Sequence, residues 1–224
     1  MIQLLNLFHD QERKIIKPQP EGPDIILQIE TRTIIIECLQ PDNWEKNPPS
    51  DGYYNSFHEE EKILRYTSAI TDKSGQYQKW LKKEIVSPMD PFLIVVSGGK
   101  QSLVDAYTEC PDIVKAVYPL GRSSYSVPLD NPDNFSVSYE KRTAVIKSNQ
   151  SSIPTDSFLN DSYNYISGII FNPYEILSKL NRDGKNYIVI RNHVAKNQFP
   201  NNLIKGSVDH FLNDNKHVEF KRVD

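Results

Sequence analysis

Cysteine is scarce in this chain of 224 residues: there are two, Cys38 and Cys110, and their spacing makes no metal motif. Cys38 falls in an apolar, strand-like stretch, where a reduced, buried thiol is the ordinary reading, and such usage points to a reducing, cytoplasmic compartment. Long hydrophobic runs are lacking as well, and none approaches the roughly 20 residues of a membrane span, which argues against a membrane partner. The opening MIQLLNLFHDQERK has neither a basic n-region nor a small-residue cleavage site, so it reads as a helix and not as a signal peptide. No internal repeat is visible. The five histidines are scattered, without a His-Glu-x-x-His spacing. A phosphate loop is missing too, because Ser97-Gly98-Gly99-Lys100 lacks the spacing and a following Ser or Thr, and a tight turn is the default reading.

Charge of one sign is also lacking, since the net charge is −3 and does not announce a nucleic-acid binder. Its distribution is less even. Residues 1–112 carry 12 basic and 18 acidic side chains, whereas residues 113–224 carry 14 and 11. The mildly basic second part is free to face phosphates, although an asymmetry this small often arises by chance.

What is present supports a sizeable core: 38% hydrophobic residues and 10% aromatics. Strand-like and helix-like stretches alternate, so the expected class is α/β, a central mixed β-sheet flanked by helices. A single domain over 1–224 is expected, with a core in 1–100 and a sheet extension with loops in 101–224. Ile2 to Phe8 reads as a helix and Lys14 to Ile16 as a short extended piece. Phe92 to Val96 is a nearly continuous apolar run, as in a doubly covered central strand. Tyr165 to Phe171 and Tyr187 to Arg191 read as further core strands. Phe135 to Tyr139 and Arg142 to Lys147 predict a hairpin turning at Glu140-Lys141. The segments Leu120 to Asn134 and SNQSSIPT read as loop and linker. A short helix is expected around Asp209 to Leu212, before a strand from Val218 to Phe220.

The chemistry concentrates in GPDIILQIETRTIIIECLQ, Gly22 to Gln40. It predicts two strands, Ile25 to Ile29 and Thr33 to Leu39, joined by a tight turn. Asp24 opens the first and Glu37 interrupts the second, between Ile36 and Cys38. A carboxylate in so apolar a strand needs a cation, a donor or an exit to water. A long polar loop follows, and then the strongest helix, Glu59 to Glu84. At 100° per residue, Ile63, Tyr66, Thr67, Ile70, Tyr77, Trp80 and Leu81 form one arc, and Lys73 falls inside it. Its stem either packs while the ammonium escapes to water, or the ammonium reaches the acids. Gly75 is a candidate kink. Arg65, Ala69 and Gln76 lie on the adjoining stripe.

Pro-Asp before a hairpin, then an acid two residues before a lysine, is the signature of the PD-(D/E)XK (restriction-endonuclease-like) nuclease superfamily, and this sequence resembles it. Pro23-Asp24 and Glu37 match, but the lysine position is Leu39. Glu37 and Leu39 share a strand face while Gln40 points away, so Gln40 is no substitute. More broadly, GPDI, IECLQP, ILRYTSAITDKSGQYQKW, DPFLIVVSGG, YISGIIF and NHVAKNQFP resemble a bacterial group near that superfamily, one with no firmly assigned activity. The resemblance implies a restriction-endonuclease-like core, with Asp24 and Glu37 binding Mg²⁺ or Mn²⁺. It allows a lysine relocated to the following helix, here Lys73, and places Arg65 and Gln76 along the site. Hard oxygen ligands suit either ion. The function implied is hydrolysis of phosphodiesters in nucleic acid, by a protein that is a homodimer in many relatives. The alternative is a catalytically inactive binding module on the same fold, acting in an effector or defence system and, as an effector, delivered to a host cytosol. Weaker candidates are His58 with Glu59 and Glu61, His193 with Asn192, Cys110, and the loop tyrosines Tyr53, Tyr54 and Tyr125 as base-stacking groups.

Overall fold

A computed structural model describes residues 2–16, 20–41, 59–98, 110–130, 136–174, 185–213 and 218–223. The polar loop after the hairpin, with Tyr53, Tyr54 and His58, lies outside the described residues.

The first helix, α1 (Ile2–Asp10), buries Leu4, Leu7 and Phe8, the i, i+3, i+4 pattern of an amphipathic helix. It ends in a reversed turn. Glu12 takes φ 57°, and Arg13 N–H donates to Phe8 O at 2.8 Å. Three antiparallel strands follow: β1 (Lys14–Ile16), β2 (Ile25–Ile29) and β3 (Arg32–Leu39). The β2–β3 turn is two residues, Glu30 and Thr31, and Glu30 takes φ 54°. The long helix α2 (Glu59–Lys82) then leads to β4 (Phe92–Ser97), which lies parallel to β3 with Glu37 opposite Ile94. Gly75 does not break α2.

Four later strands join the same sheet: β9 (Gly168–Asn172), β10 (Ile188–Arg191), β11 (Val208–Leu212) and β12 (Val218–Arg222). The order is β1-β2-β3-β4-β9-β10-β11-β12, with β9 parallel to β4. The protein is thus α/β, built on a large mixed sheet with few helices.

Alternation along the strands makes two cores. Ile34 and Ile36 of β3, with Leu93 and Val95 of β4, pack under α1 and the loop bearing Phe199, Leu203 and Ile204. Ile35, Phe92, Ile94 and Val96 face α2 instead, meeting Ile63, Tyr66, Ile70, Tyr77 and Trp80. Tyr77 stacks on Phe92 with ring centroids 4.2 Å apart. The α2 N-terminus is pinned by buried charge. Lys62 Nζ lies 3.1 Å from Asp112 in α3 (Asp112–Lys115), and Glu59 pairs with Lys115 at 3.1 Å and Arg142 at 2.9 Å.

Three expectations are corrected. The hairpin at Glu140-Lys141 does not form: β6 (Ser136–Lys141) pairs with β5 (Leu120–Ser126), inside the stretch read as loop. Likewise β7 (Ala144–Ile146) pairs with β8 (Ser152–Pro154), inside the stretch read as linker. These ribbons are largely exposed and rich in serine, so they carry little of the apolar alternation that marks a strand. The helix expected around Asp209 is strand β11, where Asp209 is buried and held by Arg191 of β10 at 2.9 Å. Among the described residues, no helix is long and apolar enough to cross a membrane.

Candidate functional site

The β2–β3 register sets Ile25 against Ile36, so Asp24, one step before β2, lies opposite Glu37. Glu37 shares the face of Ile35 and therefore points toward α2. Asp24 N–H donates to Glu37 Oε2 at 3.2 Å, and Cys38 N–H donates to Asp24 Oδ2 at 2.8 Å. Each acid is thus held by the backbone of the other's strand. Sequence reasoning did not foresee the Cys38 amide. Its only signal is that Cys38 follows Glu37 in a hairpin whose partner ends at Asp24.

From the other layer, Lys73 of α2 donates to Glu37 Oε1 at 2.6 Å. The Lys73 side chain is 23% exposed and that of Glu37 only 5%. Gln76, one turn along, accepts from the same ammonium at 3.4 Å. Among the described residues, one of the three N–H donors of the ammonium has no acceptor. Burial pushes the Glu37 carboxyl above its ordinary range. The hydrogen bond from Lys73 pulls it back, and the charge of Asp24 adds to the rise.

Asp24, Glu37, Lys73 and Gln76 therefore come together. Arg65 does not join them. It is exposed and lies eight residues from Lys73 along α2, about 12 Å at 1.5 Å per residue. Leu39 packs against the core on the α2 face, so the position where the motif has lysine is filled by hydrocarbon.

The other candidates gain little. Burial pushes the thiols of Cys38 and Cys110 up to about 12, which keeps them protonated and poor nucleophiles at neutral pH. Tyr125 is exposed on the β5–β6 ribbon. His193 sits in the loop after β10, and among the described residues no ligand cluster includes it.

The donor set decides whether a divalent ion fits. Among the described residues, no group of three or more His, Cys, Asp or Glu side chains converges. Two carboxylates do, and Asp24 Oδ1 accepts no hydrogen bond from a described residue. One or two carboxylates with several retained waters is how Mg²⁺ is usually held, so this pair suits a hard cation that keeps most of its water. It does not suit a closed, all-protein cage. Against known proteins, no family model, no curated protein and no solved structure matches this chain.

Proposed function

We propose that this protein is a divalent-metal-dependent phosphodiesterase of the PD-(D/E)XK type acting on nucleic acid. The observation that carries this reading is the 2.6 Å contact between Lys73 Nζ and Glu37 Oε1. It sets a cation from α2 beside the acid of β3, where the motif would otherwise take its lysine from residue 39. The helix before the meander, the acids at the ends of paired strands and the lysine on the next helix support the same reading.

Asp24 and Glu37 would hold the ion, which when bound polarises a phosphoryl oxygen and acidifies a water. Glu37 presents a buried carboxylate whose ionised form Lys73 favours. The spare N–H of Lys73 can meet a phosphate oxygen and stabilise the charge that grows on it during attack. Gln76 holds the ammonium in place, and the Cys38 amide fixes which Asp24 oxygen stays open. Nothing in the geometry assigns a general base.

The test is cleavage of supercoiled plasmid, single-stranded DNA and RNA with Mg²⁺ or Mn²⁺. Wild type should cut only with metal, and Glu37→Ala and Lys73→Ala should each lose at least about 100-fold, the scale of one electrostatic catalytic group. Cutting that persists in both variants would place the activity elsewhere. If wild type does not cut, and metal leaves its melting temperature unchanged, the pair is a structural ion pair and the protein is a binding module on this scaffold.

A further inference from the structure

On the flank of α2 away from Lys73 there is a second concavity. It has a volume of about 270 Å³ and lies between α2, the α3 turn and the segment from β8 to Tyr163. Its walls are mostly hydrocarbon, with Ile70, Val117 and Ile153 among them, and Tyr163 supplies an aromatic wall. Among the described residues, no Lys, Arg, Asp, Glu or His lines it. A phosphate or carboxylate placed there would lose water and gain no counter-charge.

The polar groups around it are mostly spent on the protein. Thr67 Oγ1 donates to Ile63 O at 3.0 Å, and Thr71 Oγ1 shares a 2.8 Å hydrogen bond with the Tyr163 hydroxyl. Asn160 caps Ser162 N–H at 2.9 Å. The hydroxyls of Ser162, which is exposed, and of Ser157 are the exceptions, and Ser157 is the buried residue of the two. It is 6% exposed, it lines the cavity, and its hydroxyl has no hydrogen-bond partner among the described residues. That hydroxyl is not sealed from solvent, so a ligand group can meet it in place of water.

We infer that this cavity is a binding site for a small, uncharged aromatic or heteroaromatic ring carrying one hydrogen-bonding group that meets Ser157. Size agrees, because an apolar cavity of about 150 Å³ already takes benzene, so this one takes a substituted or fused ring. The lining agrees too, with aliphatic and aromatic contacts for the ring faces and the accessible Ser157 hydroxyl for its edge. The site is separate from the carboxylate pair and does not rest on the nuclease reading.

Indole and phenol are the probes, with benzoate as the charged control, followed by calorimetry and saturation-transfer NMR on the full chain. One neutral probe should bind saturably at one site, and benzoate should not. Ser157→Ala should weaken that binding about fivefold, the scale of one neutral hydrogen bond. Ser157→Leu, which fills the space, should abolish it. Without ligand, Ser157→Ala should melt no lower than wild type, because the hydroxyl bonds to no described residue. The inference fails if neither neutral probe saturates below about 10 mM, the weak end of small-ligand affinity. It also fails if benzoate binds equally, if both variants bind like wild type, or if unliganded Ser157→Ala is clearly destabilised.

Discussion

Glu37 is 3% exposed on a strand whose other inward residues are isoleucines, and ionising it there is opposed by burial and by Asp24. Its pKa in the folded chain is raised above about 4.5, the ordinary value. The stability it contributes is therefore fully present below that pH and is lost as pH rises through the folded pKa. Lys73 limits the loss by favouring the charged form. Lys73→Met should raise the folded pKa of Glu37 further and extend the loss to higher pH. Urea unfolding at pH 5 and pH 8 should show a gap between wild type and variant that widens with pH. At pH 8 it should reach on the order of 2 kcal/mol, the cost of leaving a buried charged group without its partner. A gap that is equal at both pH values would mean that Lys73 acts by packing alone. Asp24, Glu37, Lys73 and Gln76 meet because strand alternation and the helical wheel each fix a direction that the sequence shows. Arg65 stands apart from them for a related reason. The wheel gives an angle around α2 but not a height along it, and Arg65 shares the Gln76 stripe from about 12 Å farther up than Lys73.

At the scale of elements, α2 shows what a strong local pattern secures. Its arc of Ile63, Tyr66, Ile70, Tyr77 and Trp80 is the face that meets β4, and its acids stand at the first turn as expected. Its end carries a strained feature that no periodicity shows. Glu84 takes φ 56°, and Ile85 N–H donates to Trp80 O at 3.0 Å, a reversed cap that favours glycine. Glu84→Gly should therefore stabilise the protein by about 1 kcal/mol, less the entropy glycine adds to the unfolded chain. A rise in melting temperature of about 2–4 °C would register this, and a fall would show that the Glu84 side chain holds the cap. Strands β6 and β7 were legible, but their partners β5 and β8 were not, because both are serine-bearing and bury little. In β11, Asp209 looked like a helix start until Arg191 of the neighbouring strand accounted for it. Pairings with partners far along the chain leave no local mark.

Across the whole molecule, the β4–β9 pair joins the strands that carry the candidate site to the strands that extend the sheet. Gly168 stands at that seam, opposite Leu93 of β4 and Arg191 of β10. A Cβ on Gly168 would lie 2.6 Å from Ile190 O and 2.9 Å from the Phe199 ring. The first of these is backbone and cannot swing aside, so Gly168→Ala must push β10 away from β9. Overpacking of this kind costs typically 1–3 kcal/mol. If the eight strands unfold as one unit, that loss is felt at α2 as well. In a Trp44→Phe background, Trp80 fluorescence reports on α2 packed over β4, and far-UV circular dichroism reports on the sheet as a whole. Gly168→Ala should shift both transitions to the same lower urea midpoint, as a two-state sheet requires. Separation of the two curves, with Trp80 unfolding where it does in the parent, would divide the molecule at β4–β9 and leave α1 to β4 as a cooperative unit that folds without the rest.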